Sequence, residues 1–269
     1  MARRATGGIA MPEPLEAYRP AEIGALIETA GVAKAALPAG RMLVLAVLAG
    51  CFIGFGAAGW CVAMAGVDPG FGPARVLGGV VFALGLILVV VGGAELFTGN
   101  ALMVMAAVDR RITVGALLRN WGIVWLGNLI GAVGLALAFG MAGLAEGPMG
   151  AAAVRAAEAK AGLGPVEAVL RGALCNALVC LAIWLSFAAR SVTDRVLAVL
   201  WPVTAFVALG LEHSVANMFL LPLGWIAGGE VSLAGAAGNL FWVSLGNVIG
   251  GAGGVALAYR YAYPAMAGK

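Results

Sequence analysis

A chain of 269 residues that is 62% hydrophobic and only 11% charged, with a mean hydropathy of +1.01, carries too few charges for a water-soluble domain, where about 25% is usual. Its length suffices for one bundle of about six membrane spans at ~20 residues each, with no separate soluble domain left over. The net charge of +3 comes without a basic run or an interleaved aromatic stripe, which argues against nucleic acid as a partner.

Residues 1–38 lack the continuous apolar core of a signal peptide and are broken by Pro12, Pro14 and Pro20. Pro20 opens and Pro38 closes a predicted helix in which Ile23, Leu26, Ile27 and Ala30 repeat at helical spacing. That pattern fits an amphipathic helix on the membrane surface or one packed on the underside of a bundle. Apolar runs follow at roughly 42–66, 76–107, 115–141, 170–189, 196–227 and 236–259. The second and fifth are too long and too interrupted for simple spans, and each contains one copy of a shared phrase. The copies are Gly93-Ala94-Glu95-Leu96-Phe97-Thr98-Gly99-Asn100 and Gly210-Leu211-Glu212-His213-Ser214-Val215-Ala216-Asn217. A second echo, Leu126-Gly127-Asn128 and Leu245-Gly246-Asn247, places its asparagine 33 residues after Glu95 and 35 after Glu212. Cys51, Cys61, Cys175 and Cys180 lie inside apolar runs without CxxC spacing, as packing residues do.

Two ordered repeats of three spans each predict an all-α membrane protein of six transmembrane helices. Its halves form a 3+3 inverted repeat, with helices two and five broken near the central pathway. The expected organisation is a cytoplasmic N-terminal segment at 1–40, one transmembrane channel domain at 41–262 with repeats 41–141 and 165–262, and a cytoplasmic tail at 263–269. With both termini inside, twelve Lys and Arg residues fall on the cytoplasmic side, and only Arg75, Arg155, Lys160 and Arg171 fall outside. The positive-inside rule selects that orientation.

Ionisable residues inside spans mark a functional site by default. A helix broken at mid-membrane leaves backbone groups that need partners, which Thr98, Asn100, Ser214 and Asn217 can supply. Glu95 and Glu212 read as structural, capping the partly positive N-termini of the half-helices. His213 is the only histidine. It sits in a break beside a carboxylate, and histidine suits proton exchange near neutral pH. Phe82, Leu86 and Phe206 are either core packing or apolar constrictions that would keep the passage dry. Lys160 lies in the expected outer loop, as a solvated residue or as a funnel for anions. No catalytic set, metal cluster or cofactor site is expected. HExxH and GxSxG are missing, and the adjacency of Ser214 to His213 is not the geometry of a nucleophile and its base. The paired Asn-Pro-Ala of water channels is missing too.

Together with Leu174-Cys175-Asn176-Ala177-Leu178-Val179-Cys180 and Glu212-His213-Ser214-Val215-Ala216-Asn217-Met218, the first phrase resembles the formate/nitrite transporter family over nearly the whole chain. The resemblance implies an aquaporin-like homopentamer with one pore per protomer, passing small monovalent anions: formate, nitrite, hydrosulfide and sometimes acetate or lactate. It assigns Thr98 to the loop breaking the second helix and His213 to the pore centre. Asn176 and Asn247 correspond to polar pore residues, Phe82, Leu86 and Phe206 to the constrictions, and Lys160 to the outer vestibule. Glu95 and Gly99-Asn100 stand where some formate channels carry Asp and Ser-Thr, so nitrite and hydrosulfide stay beside formate. The expected function is passage of a weak-acid anion across the inner membrane, with His213 mediating its protonation.

Overall fold

The computed structural model describes residues 16–264. Arg3, Arg4, Pro12 and Pro14 of the expected N-terminal segment, and residues 265–269 of the expected tail, lie outside the described residues. Among the described residues every regular element is helical: α1 (Pro20–Ala35), α2 (Ala39–Ala63), α3 (Gly72–Gly92), a 3₁₀ turn (Gly99–Met103) running into α4 (Val104–Val108), α5 (Val114–Met141), α6 (Gly147–Ala161), α7 (Pro165–Ala188), α8 (Val192–Ala208), α9 (Ser214–Ile226), α10 (Leu233–Val248), a π-helical stretch (Ile249–Leu257) and α11 (Ala258–Ala262). Five of these are long and apolar enough to cross a membrane: α2, α3, α5, α7 and the continuous Leu233–Ala262. At 1.5 Å per residue, 21 to 30 residues cover a hydrocarbon core of about 30 Å.

Local chemistry sets the boundaries. Proline in the first turn opens α1, α3, α6 and α7, where its missing N–H is not needed. Thr113, Ser191 and Ser232 cap α5, α8 and α10 by accepting a backbone N–H three residues on. The helix α6 occupies what the sequence suggested was an outer loop. Its run Ala151-Ala152-Ala153-Val154-Arg155-Ala156-Ala157-Glu158-Ala159-Lys160-Ala161 is built from strong helix formers, too short and too charged to register as a span.

Packing between spans rests on backbone approach. A Cβ on Gly131 of α5 would overlap the Val47 carbonyl of α2, and one on Gly250 would overlap the Ala173 carbonyl of α7. Small residues at such crossings let helices touch where no hydrophobic force drives them together. The main core joins α2, α3, α5, α8 and α9 around Ile53, Phe82, Val124, Val203 and Phe219. A second cluster joins Ile23 and Ile27 of α1 to Leu102, Met105, Trp184 and Val255. The apolar residues Ile23 and Ile27 of α1 thus turn toward the bundle. Glu28, also buried, adds ion pairs to Arg111 at 3.3 Å and Arg260 at 3.7 Å.

Candidate functional site

The two shared phrases lie side by side in the interior. The chain leaves α3 at Gly92, turns through Gly93 at φ 81°, and re-enters a helical turn at Gly99. It leaves α8 at Ala208, turns through Gly210 at φ 72°, and re-enters at Ser214. Both positive φ values lie in the left-handed region that favours glycine.

The released backbone groups find the same partners in both places. The Glu95 N–H donates to the Leu45 carbonyl at 3.2 Å and the Glu212 N–H to the Arg171 carbonyl at 3.3 Å. Asn128 accepts from the Phe97 N–H and donates to the carbonyls of Ala46 and Glu95, at 2.8 to 2.9 Å. Asn247 accepts from the Ser214 N–H and donates to the carbonyls of Gly172 and Glu212, again at 2.8 to 2.9 Å. Buried polar backbone is costly unless paired, and one asparagine serves each loop. Asn247, expected at the pore centre, has its side chain engaged with backbone groups of this scaffold.

The carboxylates do something other than cap helices. Lys34 Nζ donates to Glu95 at 2.6 Å, and Asn100 Nδ2 bridges Glu95 at 2.7 Å and Asn120 at 2.8 Å. Lys160 Nζ donates to Glu212 at 2.8 Å, and Asn217 Nδ2 bridges Glu212 at 2.6 Å and Asn239 at 2.7 Å. A carboxylate this buried needs a cation more than a helix dipole can supply. Lys160 is therefore not a solvated loop residue: it ends α6 with its side chain 15% exposed, paired to Glu212. Sequence reasoning missed Lys34, Asn120 and Asn239 as site residues. Their signals were present, in the repeated Ala33-Lys34-Ala35 and Ala159-Lys160-Ala161 and in asparagines eight positions before both Asn128 and Asn247.

At the centre Thr98 Oγ1 and His213 Nε2 are 3.0 Å apart, in a pair with almost no exposure. His213 is also the N-cap of α9, its Nδ1 accepting the Ala216 N–H at 3.1 Å. A ring nitrogen that accepts carries no proton, so the neutral tautomer places its hydrogen on Nε2. Nε2–H then donates to Thr98, whose own hydroxyl hydrogen is left free to point elsewhere. The Phe206 ring stacks on the imidazole with centroids 5.9 Å apart, and Phe82 meets Phe206 edge-on at 5.7 Å. Leu86, 2% exposed, is buried in the same core. Asn176 donates to the carbonyls of Thr98 at 3.1 Å and Asn247 at 2.6 Å. Ser214 keeps a hydroxyl without a partner.

Two cavities approach this pair from opposite ends of the antiparallel helices α3 and α8. One, of about 390 Å³, is lined by Lys34, Glu95, Gly99, Asn100 and Ser186 together with Arg195, a further cation that the sequence reading did not single out. The other, about 90 Å³, is lined by Phe82, Lys160, Phe206, Glu212 and His213. The cysteines are free, three of them buried, and no group of candidate metal ligands occurs among the described residues.

Comparison with known proteins decides the lineage. The family described as Formate/nitrite transporter matches residues 21–261. The chain belongs to that family. Within it, the chain is similar to the "Formate channel FocA" of Escherichia coli (strain K12), 38% identical over 273 residues, covering 93% of this chain and 96% of the relative. It is also 38% identical over 205 residues to the "Nitrite transporter NirC" of Salmonella typhimurium, covering 74% of each. Among solved structures it resembles an "FNT family ion channel" at a TM-score of 0.84 and 32% identity, covering 90% of this chain and 99% of the other. A "Pentameric formate channel with formate bound" matches at 0.75 and 33%, covering 84% and 97%. The formate/nitrite transporter family supplies channels and transporters rather than enzymes, in keeping with the lack of a catalytic set in the sequence.

Proposed function

We propose that this protein passes a small monovalent weak-acid anion, formate foremost, across the inner membrane, as a homopentamer with one pore per protomer and both termini cytoplasmic. The observation that carries this reading is the Thr98–His213 pair at 3.0 Å, buried between two cavities that each bear a lysine. The matched hydrogen bonds support an inverted repeat broken at helices two and five. They also support an extension of each half, since Lys34 and Lys160 hold equivalent glutamates: α1 to α5 form one half and α6 to α11 the other. The larger cavity, beside Lys34 and Arg195, is then the cytoplasmic mouth, and Phe82, Leu86 and Phe206 narrow the outer side.

Energetics favour passage as the neutral acid. A bare anion in a dry constriction costs several kcal/mol even after relaxation. Protonating a carboxylate of pKa about 4 at neutral pH costs roughly 4 kcal/mol, and the product then crosses the apolar zone without a charge. At the centre the Thr98 hydroxyl offers the anion a hydrogen bond while His213 Nε2–H supports it from behind. To hand on a proton, His213 must first take one at Nδ1, releasing the Ala216 N–H. A lost helix cap costs about 1 kcal/mol, small enough for a transit state to bear. The test is flux into liposomes at two pH values. Wild-type formate flux should rise on acidification, and His213→Ala should lose both rate and pH response. Unchanged rate and pH dependence in that variant would end the role given to His213. Similarity to a nitrite transporter favours nitrite as the second reading, and equal gradients of formate, nitrite, hydrosulfide, acetate and lactate would rank the anions.

A further inference from the structure

We propose that Asn176, Cys180 and Gly251 form a positioning shell that fixes where Thr98 stands against His213, setting anion affinity and preference without touching the anion. This rests on the reading of Thr98 and His213 as the transit site. Thr98 is held from two sides. Its hydroxyl meets His213 Nε2 at 3.0 Å. Its carbonyl accepts from Asn176 Nδ2 at 3.1 Å and from Cys180 Sγ at 3.6 Å. The same Asn176 Nδ2 donates to the carbonyl of Asn247 at 2.6 Å, and Asn247 accepts the Ser214 N–H in the first turn of α9. The shell thus ties the frame of Thr98 to the frame that carries His213.

The equivalence between the halves shows what is particular about these three residues. The Leu45 and Arg171 carbonyls hold equivalent loops, and so do those of Ala46 and Gly172. Counting along α2 and α7 from those pairs, Asn176 corresponds to Gly50 and Cys180 to Gly54. Counting from Asn128 and Asn247 along α5 and the sixth span, Gly251 corresponds to Ala132. In the first half backbone closes the crossing at Gly50, where a Cβ would overlap the Asn128 carbonyl, while Gly54 leaves room for the side chains of Leu135 and Phe219. In the second half side chains are inserted and room is cleared for them. A Cβ on Gly251 would overlap Asn176 Nδ2 and lie 2.8 Å from both Cys180 Sγ and Ala101 Cβ. The span is also wound differently there: Ile249–Leu257 is π-helical, whereas its counterpart within α5 is α-helical. Such π segments occur frequently at functional sites. The first half closes at these positions with apolar side chains and backbone, whereas the second half inserts an amide and a thiol that donate to one carbonyl. Asn176 and Cys180 meet at the carbonyl of Thr98, the residue the anion is proposed to contact, and Gly251 leaves the room that both of them occupy.

The experiment compares Cys180→Ala, Cys180→Ser, Thr98→Ala and the double variant Thr98→Ala/Cys180→Ala, with Gly251→Ala as an independent probe from the other side. Each is reconstituted in liposomes, normalised to folded protein, and assayed for formate KM, maximal rate and the formate-to-acetate ratio. Loss of one hydrogen bond shifts an equilibrium by roughly 2- to 12-fold, and a thiol donor belongs near the low end. Cys180→Ala should therefore raise formate KM about threefold and change the anion ratio, with Cys180→Ser restoring both. In the Thr98→Ala background the effect of Cys180→Ala should vanish, because no hydroxyl remains to be misplaced. Gly251→Ala should move KM in the same direction. A Cys180→Ala protein that differs only in yield, or an effect that persists undiminished without the Thr98 hydroxyl, would overturn the proposal. If Thr98→Ala alone behaved as wild type, the transit-site reading itself would fail, and the two failures are distinguishable.

Discussion

Removing Lys160 tests the energetic core of the site most directly. Glu212 is 5% exposed in its side chain and Lys160 15%, with the ammonium 2.8 Å from the carboxylate. In Lys160→Met the carboxylate keeps one side-chain donor, Asn217, and otherwise becomes an uncompensated buried charge. Breaking a buried pair in this way costs roughly 3–5 kcal/mol, whereas replacing both partners by neutral groups is often close to neutral. Lys34→Met should cost less. The Lys34 side chain is 30% exposed and opens on a cavity of about 390 Å³ rather than 90 Å³, so water can solvate Glu95 in its place. Exposed pairs contribute only about 0–1 kcal/mol, and this one falls between the limits. The assay is thermal unfolding of the detergent-solubilised protein followed by the emission of its seven tryptophans. Lys160→Met should unfold earliest, Lys34→Met at an intermediate temperature, and Lys160→Met/Glu212→Gln should recover most of the loss. If the double variant proved no more stable than Lys160→Met, the argument from an orphaned charge would be wrong. If Lys34→Met were the more damaging, the argument from solvent access would be wrong.

His213→Asn separates the two functions of the histidine, because asparagine is as good an N-cap as any residue but has no imidazole. Unfolding temperature should stay near wild type while the pH dependence of formate flux is lost; a large fall in stability would mean that the ring's packing on Phe206 matters more than the cap. At the α1 end, Arg260 grips both oxygens of Asp109 at 2.6 to 2.7 Å and holds that carboxyl below its ordinary range, against an opposing contribution from burial. This stability is present above the unfolded pKa of about 4 and is lost as pH falls through the lower folded value. Glu28 shifts upward, first through burial and then through its hydrogen bond with Asp109, so protonating it favours the folded state. Asp109→Asn should therefore lower stability at neutral pH and flatten the acid side of the stability profile, while Glu28→Gln should change neutral-pH stability little. Unfolding measured between about pH 3 and 7 checks both.

Much of the architecture was legible because two physical signals are strong in a membrane chain. Apolar runs of span length gave α2, α5, α7 and the last span to within a few residues, except that α7 begins five residues earlier, at Pro165. Charged residues inside such runs pointed to Glu95 and Glu212. What stayed hidden were the partners those residues require. Lys34 lies in a short helix outside the spans and Lys160 in a segment read as a loop, and they reach glutamates 61 and 52 residues away. No local pattern encodes such a distance. The capping role of His213 was equally invisible: its neighbour Ser214 is the conventional candidate, and only the fold shows Ser214 already inside the first turn of α9.

The pairing of the two halves also bears on why the chemistry is single. The proposed inverted repeat would offer each position twice, yet Leu96 stands opposite His213 in the shared phrase, and Val215 stands opposite Thr98. Both are fully or almost fully buried, so the apolar choice is set by the interior and not by contact with lipid. Had both positions been histidine, two imidazoles would compete for the midpoint, and any proton gained by one would raise the cost of protonating the other. Had both been apolar, the anion would cross without a donor and meet the full desolvation penalty. On the proposed reading, one donor pair faced by apolar Leu96 and Val215 would avoid both costs. The parts that recur (lysine, glutamate and the asparagines) hydrogen-bond to one another on either side of that centre, and the residues that differ between the two phrases are the ones proposed to meet the anion or to hold the residue that does.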